Sequence, residues 1–94
     1  MTVIQDGCLV RSTAGRDGGR LYLVWGSLAD IHSLVDGKTR RISNPKQKRA
    51  KHLELVLPRD DEAFETIRSG IQDGSADAKI RRLLRSYKRN KEEI

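Results

Sequence analysis

The sequence lacks most of what secreted proteins, membrane proteins and enzymes are built from. A single cysteine, Cys8, stands among 94 residues, which excludes an intrachain disulfide and a zinc site made of several cysteines. Four residues are aromatic and 36% are hydrophobic, too few to enclose a deep pocket in so short a chain. No apolar run approaches the roughly 18–20 residues that cross a bilayer, and no signal-peptide pattern is present. We therefore expect one small cytoplasmic protein with no membrane contact and no small-molecule substrate.

Side chains for catalysis or metal binding are equally scarce. The two histidines, His32 and His52, have no metal-ligand spacing to each other or to Cys8. The carboxylates of residues 60–62 are explained by the start of a helix, where they cap free amides. The glycines of residues 15–19 join two strands, whereas a phosphate-binding loop leads into a helix. We expect no enzyme activity, no catalytic residue, no metal and no cofactor.

Positive charge is what the chain has in excess, and it is concentrated in two blocks. The net charge is +6; residues 38–52 carry seven bases and no acid, and residues 79–94 carry seven bases and two acids. The segment between the blocks is acidic, with seven acids and two bases. A distribution this polarised favours a polyanionic partner, and nucleic acid above all.

Short apolar runs separated by turn signals predict a small β-rich fold. Asp17-Gly18 and Asp36-Gly37 are strong hairpin signals, because glycine adopts positive φ without a steric cost. We expect Gly15, Gly18 and Gly37 to form the structural turns. The strands are predicted at residues 8–12, 21–25, 31–35, 39–42 and 53–57, with a further turn over residues 26–30. Five short strands in under sixty residues are typical of a small barrel, which removes its own sheet edges.

The remainder of the chain predicts a helical hairpin packed on that barrel. Asp60 or Asp61 is expected to cap a first helix with one apolar face, and a second helix follows Ser75. The predicted inner faces comprise Ala63, Phe64, Ile67 and Ile71 in the first helix, and Ala76, Ile80, Leu83, Leu84 and Tyr87 in the second. The predicted fold is mainly β with C-terminal helices, with the barrel over residues 1–57 and the helical extension over residues 58–94.

Basic side chains are the candidate RNA contacts. Phosphate contacts supply most of the affinity in such complexes. Four aromatic residues offer little surface for stacking on single-stranded bases, so we expect recognition of structured RNA through its shape and backbone. The candidates from charge alone are Arg16, Arg20, Arg40, Arg41, Lys46, Lys48, Arg49, Lys51, Arg81, Arg82 and Arg85.

The segment of residues 7–20 resembles the KOW motif, a β-hairpin shared by several ribosomal proteins and NusG-type elongation factors. With Asp36-Gly37-Lys38, Asn44-Pro45-Lys46 and Lys51-His52-Leu53, it looks like the small bacterial KOW-domain RNA-binding proteins, which are similar to KOW-bearing large-subunit ribosomal proteins of archaea and eukaryotes.

This resemblance implies an SH3-like barrel that binds ribosomal RNA or associates with the large ribosomal subunit or its assembly. It puts Gly18 at the centre of the motif and adds Asp17, Lys38 and His52 to the candidate RNA contacts. Trp25-Gly26-Ser27 departs from the aliphatic strand end expected in the family.

A second interpretation, from a different class of protein, stays open. The barrel would be a protein-interaction module in transcription elongation or translation that docks on polymerase or on a ribosomal protein. It predicts weak dependence on salt, and sensitivity to Trp25 or Leu34 rather than to the lysines.

Overall fold

Five β-strands are followed by two α-helices in the computed structural model, which describes residues 3–16 and 18–92, with side chains as far as residue 89. A single 3₁₀ turn, Ala50–His52, joins the last two strands. The strands β1 to β5 span Leu9–Ser12, Leu21–Leu28, Ile31–Val35, Lys46–Arg49 and Leu53–Leu57, and the helices α1 and α2 span Asp61–Ser69 and Ala76–Glu92. The prediction of a mainly β fold with C-terminal helices is confirmed.

The strands form one antiparallel sheet in the order β4-β3-β2-β1-β5. The two edge strands, β4 and β5, are neighbours in the chain but do not pair with each other. The 3₁₀ turn between them directs the chain from one edge of the sheet to the other without a ladder of hydrogen bonds. The sheet is therefore open, and the predicted closure into a barrel is not observed.

Both faces of the sheet are buried, as the mostly apolar run of residues 21–25 predicts. Alternate side chains of a strand point to opposite faces, so neighbours in β1 and β2 belong to different cores. One core, on the face without helices, contains Cys8, Val10, Tyr22, Val24 and Leu34. The other lies between the sheet and the helices and contains Leu9, Leu21, Leu23, Val35, Phe64, Ile67, Ala76, Ile80 and Leu84.

The helices form for the reasons that the sequence gives. Asp60 precedes α1, and its carboxylate accepts a hydrogen bond from the amide of Ala63 at 3.1 Å. Phe64 and Ile67 lie on the face of α1 that packs into the core between the sheet and the helices. The predicted inner face of α2 is confirmed in full, with Leu83 and Tyr87 half-buried at its edge. Ile71 is different: it lies beyond the end of α1 and is 50% exposed.

The turn between β2 and β3, which was predicted over residues 26–30, begins later in the chain than expected. Strand β2 continues through Gly26 and Ser27, with a register irregularity between Val24 and Gly26. Ser27 pairs with His32 in the ladder, and its side-chain oxygen lies 2.6 Å from the His32 ring nitrogen Nδ1. The strand thus continues for three residues beyond its predicted end at residue 25. Ala29, whose φ is 54°, lies in the turn that follows.

The fourth strand was predicted over residues 39–42, and this is wrong. Residues 37–44 form a loop because their amides bond to side chains and to the loop itself rather than to a neighbouring strand. The strand is instead Lys46–Arg49, a segment with three basic side chains. An edge strand tolerates lysine, because half of its side chains remain in contact with water and the charge discourages pairing with other chains.

The first predicted turn is also longer than a two-residue hairpin. Eight residues, 13–20, connect β1 to β2. Positive φ is adopted by Gly15, at 81°, and Gly19, at 86°, but not by Gly18. Gly18 donates its amide hydrogen to the Gly15 carbonyl at 3.2 Å instead. Gly15 and Gly18 thus both take part in this turn, and of the two only Gly15 has the positive φ that favours glycine. Asp17 lies outside the described residues.

Candidate nucleic-acid interface

Three segments that are far apart in the sequence meet around one surface groove of about 520 Å³. They are the end of the 13–20 loop, the start of the loop after β3, and one face of α2. The residues that line the groove are Gly19, Arg20, Leu21, Asp36, Lys38, Thr39, Arg81, Leu84, Arg85 and Lys88. Five of these side chains are basic and one is acidic, so the groove has a net positive charge. We call it the basic groove.

The helical wall of the basic groove is a stripe of cations. Arg81, Arg85 and Lys88 are spaced at i, i+4 and i+7, and residues at these intervals lie on one face of a helix. At 1.5 Å per residue the stripe is about 10 Å long. Leu84 lies between them and belongs to the core on its buried side. The core therefore fixes the orientation of α2, and with it the direction of the stripe.

The opposite wall is a loop organised by one carboxylate. Asp36 accepts hydrogen bonds from the amides of Lys38 and Arg40 at 2.9 and 2.8 Å, and from the Thr39 hydroxyl at 2.7 Å. Partial burial alone would raise the pKa of Asp36, but these hydrogen bonds outweigh it and leave the pKa below its ordinary value. The carboxylate is thus charged at neutral pH, and much of its charge is already compensated by the loop.

Contacts with α2 fix this loop to the helix. Gly37 has a φ of 77° and lies so close to the backbone of Asp77 that a β-carbon would overlap the Asp77 carbonyl oxygen. The Arg81 guanidinium donates to the Gly37 carbonyl. One turn away, the Asp77 carboxylate accepts the amide hydrogen of Ile42 at 2.9 Å. Lys38 is therefore carried by a backbone that is held at both ends.

The 13–20 loop connects the basic groove to the second cationic region, the edge strand β4. Lys48 donates from Nζ to the Ala14 carbonyl at 2.9 Å, and the amide of Thr13 donates to the His52 carbonyl at 2.9 Å. Arg16 is exposed in the same loop. Contacts with β4 and the 3₁₀ turn thus hold the start of the loop, and its end lines the basic groove.

Several predicted RNA contacts do not line the basic groove. Arg49 pairs with Asp30 at 3.2 Å, near the tip of the β2–β3 hairpin. Arg82 lies in a different groove, between the two helices, together with Lys79 and Glu62. The remaining ones on the described surface are Arg16, Arg40, Arg41, Lys46, Lys48, Lys51 and His52, of which Arg16, Arg41 and Lys51 are exposed and the others half-buried. The structure thus groups Arg20, Lys38, Arg81 and Arg85, and separates Arg82 from them.

Four residues of this region were missed from the sequence. Lys88 completes the cationic stripe, and its i+7 spacing from Arg81 was a visible signal. Asp36 and Thr39 were read as parts of a simple turn, although an aspartate followed by polar residues is also typical of a side-chain-capped loop. Nothing in the sequence indicates that Asp77 bonds to Ile42, 35 positions earlier.

Among the residues that the structure describes, no group of three or more metal-binding side chains is found. The described helices include none that is long and apolar enough to cross a membrane.

No protein-family model matches the sequence, and comparison with curated proteins finds no significant match. The fold and the groove define a small β-rich domain with two helices and one strongly basic, partly enclosed surface.

Proposed function

We propose that this protein is a non-enzymatic RNA-binding protein that contacts the phosphate backbone through the basic groove. The observation that supports this most strongly is the convergence of Arg20, Lys38 and the α2 stripe on one groove. Cations from unrelated parts of the chain repel one another when they are brought together, and an anionic ligand relieves that repulsion. Asp36, the acidic residue among the described residues that line the groove, already accepts hydrogen bonds from its own loop.

The class of fold that we infer is the SH3-like barrel of KOW proteins. Three features support it: the pairing of β1 with both β2 and β5, the 3₁₀ turn between the last two strands, and the hydrogen bond from Lys48 on β4 to the loop after β1. The family resemblance of residues 7–20 supports it independently. On this basis the RNA is ribosomal RNA, and the protein associates with the large ribosomal subunit or its assembly in the cytoplasm.

A pair of double variants on α2 tests the groove directly. Arg85 and Lys88 line the basic groove, whereas Lys79 and Arg82 line the groove between the helices. The variant R85Q/K88Q and the control K79Q/R82Q remove the same number of charges from the same helix. Each lost phosphate contact lowers the slope of log K against log salt by about 0.9. We expect R85Q/K88Q to weaken RNA binding roughly tenfold or more at low salt, and the control much less. If both variants fold and lose the same RNA affinity, the RNA is attracted to the positive charge of the helix in general and not to a site in the basic groove.

Association with the ribosome is tested by sedimentation of a lysate on a sucrose gradient at low and moderate salt. We expect the protein to migrate with the large subunit or its precursors, and to be released by ribonuclease or by salt. A protein that stays at the top of the gradient under both conditions would contradict the ribosomal assignment.

The alternative function, docking on polymerase or on a ribosomal protein, needs an exposed apolar surface. This alternative predicts that substitutions at Trp25 or Leu34 weaken docking. Leu34 is fully buried, so a substitution there tests stability and not docking. Trp25 is half-buried and packs edge-on against Phe64, with ring centroids 6.0 Å apart. Neither of these two residues therefore favours this alternative over RNA binding.

A further inference from the structure

The basic groove is lined by two kinds of polar side chain, and only one of them suits phosphate. The cations Lys38, Arg85 and Lys88 match phosphate oxygens. Asp36 does not, because a carboxylate repels an anion, and Thr39 does not, because its hydroxyl hydrogen is already donated to Asp36. A ligand that fills the whole groove must therefore offer hydrogen-bond donors beside its phosphates.

The hydrogen bonds of the loop show which acceptor atoms remain. The Thr39 hydroxyl donates its single hydrogen to Asp36 at 2.7 Å. Its oxygen therefore faces any further partner as an acceptor only. The Asp36 oxygen that receives this hydrogen is Oδ2, whereas the amides of Lys38 and Arg40 bond to the other oxygen, Oδ1. A carboxylate oxygen has about two lone-pair sites, so each member of the pair has acceptor capacity left.

The sugar–phosphate backbone of RNA carries hydrogen-bond donors beside its phosphates, as the groove requires. It carries a 2′-hydroxyl group, which is a donor, beside every phosphate, whereas the backbone of DNA carries none. Acceptors next to cations in one groove therefore match ribose and not deoxyribose.

The positions of the aromatic side chains decide between single-stranded and double-helical RNA. Proteins that bind single strands stack the bases on exposed aromatic rings. Here Tyr22 and Phe64 are buried, and Trp25 and Tyr87 are half-buried against the core between sheet and helices. None of the described residues that line the groove is aromatic. The cationic stripe of α2 is about 10 Å long, over which one strand of a duplex presents about three phosphates.

We propose that the basic groove binds the backbone of double-helical RNA, with its cations at the phosphates and with Asp36 and Thr39 accepting hydrogen bonds from 2′-hydroxyl groups. This inference rests on the proposed RNA-binding function and specifies its ligand. Because no base edge is contacted in such a mode, binding is independent of sequence.

The experiment compares three probes with the wild-type protein by fluorescence anisotropy at one low salt concentration. The probes are a short RNA duplex, the DNA duplex of the same sequence, and one RNA strand alone. We expect the RNA duplex to bind roughly fivefold to tenfold more tightly than either of the others. A DNA duplex or a single strand that binds as tightly as the RNA duplex overturns the inference, although RNA binding itself would stand. If none of the three binds in a salt-dependent way, the proposed function is also wrong.

The variant Thr39→Val tests the acceptor pair, because valine keeps the shape of threonine and removes the hydroxyl. We expect the preference for the RNA duplex over the DNA duplex to fall to about twofold or less, with DNA affinity unchanged, and Thr39→Ser to restore it. Equal weakening of RNA and DNA binding would show that Thr39 only supports the loop, and an unchanged preference would show that it does not contact ribose. Either result overturns the role given to Thr39.

Discussion

The two Asp-Gly pairs of this protein look alike in the sequence, but their glycines, Gly18 and Gly37, differ completely in the structure. Gly37 is packed beneath α2, its carbonyl accepts from Arg81, and its φ is 77°. Gly18 lies in an exposed loop, without positive φ and with no close neighbour except the Gly15 carbonyl, 3.4 Å from where a β-carbon would lie. The dipeptide favours a turn in both places, but only contacts with a distant helix decide which turn is rigid.

This difference separates two kinds of cationic surface. The loop after β3 holds Lys38 on a backbone fixed by Asp36 and by α2. The 13–20 loop is held at its start by Lys48 and His52, and at its end by backbone hydrogen bonds between Ser12 and both Gly19 and Arg20. We infer that the first loop presents a preformed wall of the groove, and that Arg16, between the two fixed ends of the second loop, adapts to the RNA, which costs conformational entropy on binding.

The largest effect is expected for Gly37→Ala. Alanine at positive φ costs about 1–2 kcal/mol, and overlap with a packed backbone adds about 1–3 kcal/mol. We expect the free energy of unfolding to fall by about 2–4 kcal/mol, measured by urea denaturation followed by circular dichroism. The control is Gly26→Ala, since Gly26 has no heavy atom within 4 Å of the added carbon and no positive φ. A change below about 1 kcal/mol for Gly37→Ala would mean that this loop is not fixed to α2.

The second effect is pH-dependent and belongs to Asp36. The folded state lowers the pKa of this carboxyl group below 3.8, so its ionised form stabilises the fold above the unfolded-state pKa, and that contribution is lost as the pH falls through the folded-state pKa. We expect Asp36→Ala to cost about 1 kcal/mol at neutral pH. The deficit relative to wild type should shrink as the pH falls below 3.8.

Denaturation curves at a series of pH values between neutral and acidic test this expectation. The matched comparison is Asp73→Ala. Asp73 also has a lowered pKa, caused by hydrogen bonds from the Ser75 hydroxyl and amide, but it is fully exposed in the turn between the helices. A deficit for Asp36→Ala that is the same at every pH would show that the loop does not depend on the charge of this carboxylate.

Local patterns were enough to predict most of the elements. Four strands, both helices and the inner face of α2 follow from apolar periodicity and from one capping aspartate, because each of these signals acts over a few residues. The fourth strand was misplaced because its position involves a contact between residues that are far apart in the sequence. Whether residues 39–42 or Lys46–Arg49 pair with β3 depends on Asp77, which binds the amide of Ile42 from a helix 35 positions away.

The candidate site was predicted in its chemistry and only partly in its geometry. The sequence analysis predicted cations as contacts, and four of them, Arg20, Lys38, Arg81 and Arg85, line one groove. The sequence cannot distinguish Arg82 from Arg85, because both are exposed positions of an amphipathic helix and the position of α1 decides which groove each one faces. Burial of the aromatic side chains likewise depends on the tertiary packing.

The cationic surfaces of the two loops should also differ in their effect on RNA binding. We expect Lys38→Gln to weaken binding to an RNA duplex roughly fivefold at low salt. The loop that carries Lys38 is already ordered, so its phosphate contact is not offset by a loss of conformational entropy on binding. Arg16→Gln should have a smaller effect, about twofold. Anisotropy titrations at several salt concentrations measure both, with Lys79→Gln as the control of equal charge in the other groove. A larger loss for Arg16→Gln would reverse the roles assigned to the two loops.

The smallest effects are expected within the 13–20 loop, where two adjacent glycines differ in conformation alone. Gly19 has a φ of 86° and no heavy atom within 4 Å of an added β-carbon, whereas Gly18 lacks positive φ. Gly19→Ala should therefore cost about 1 kcal/mol from backbone strain and nothing from overlap. Gly18→Ala should change stability by less than about 0.5 kcal/mol, since a surface substitution free of strain is nearly neutral. If Gly18→Ala proved the more costly of the two in urea denaturation, Gly18 would be the central glycine of the turn, as the family resemblance implies, and the 13–20 loop would have a different conformation from the one described.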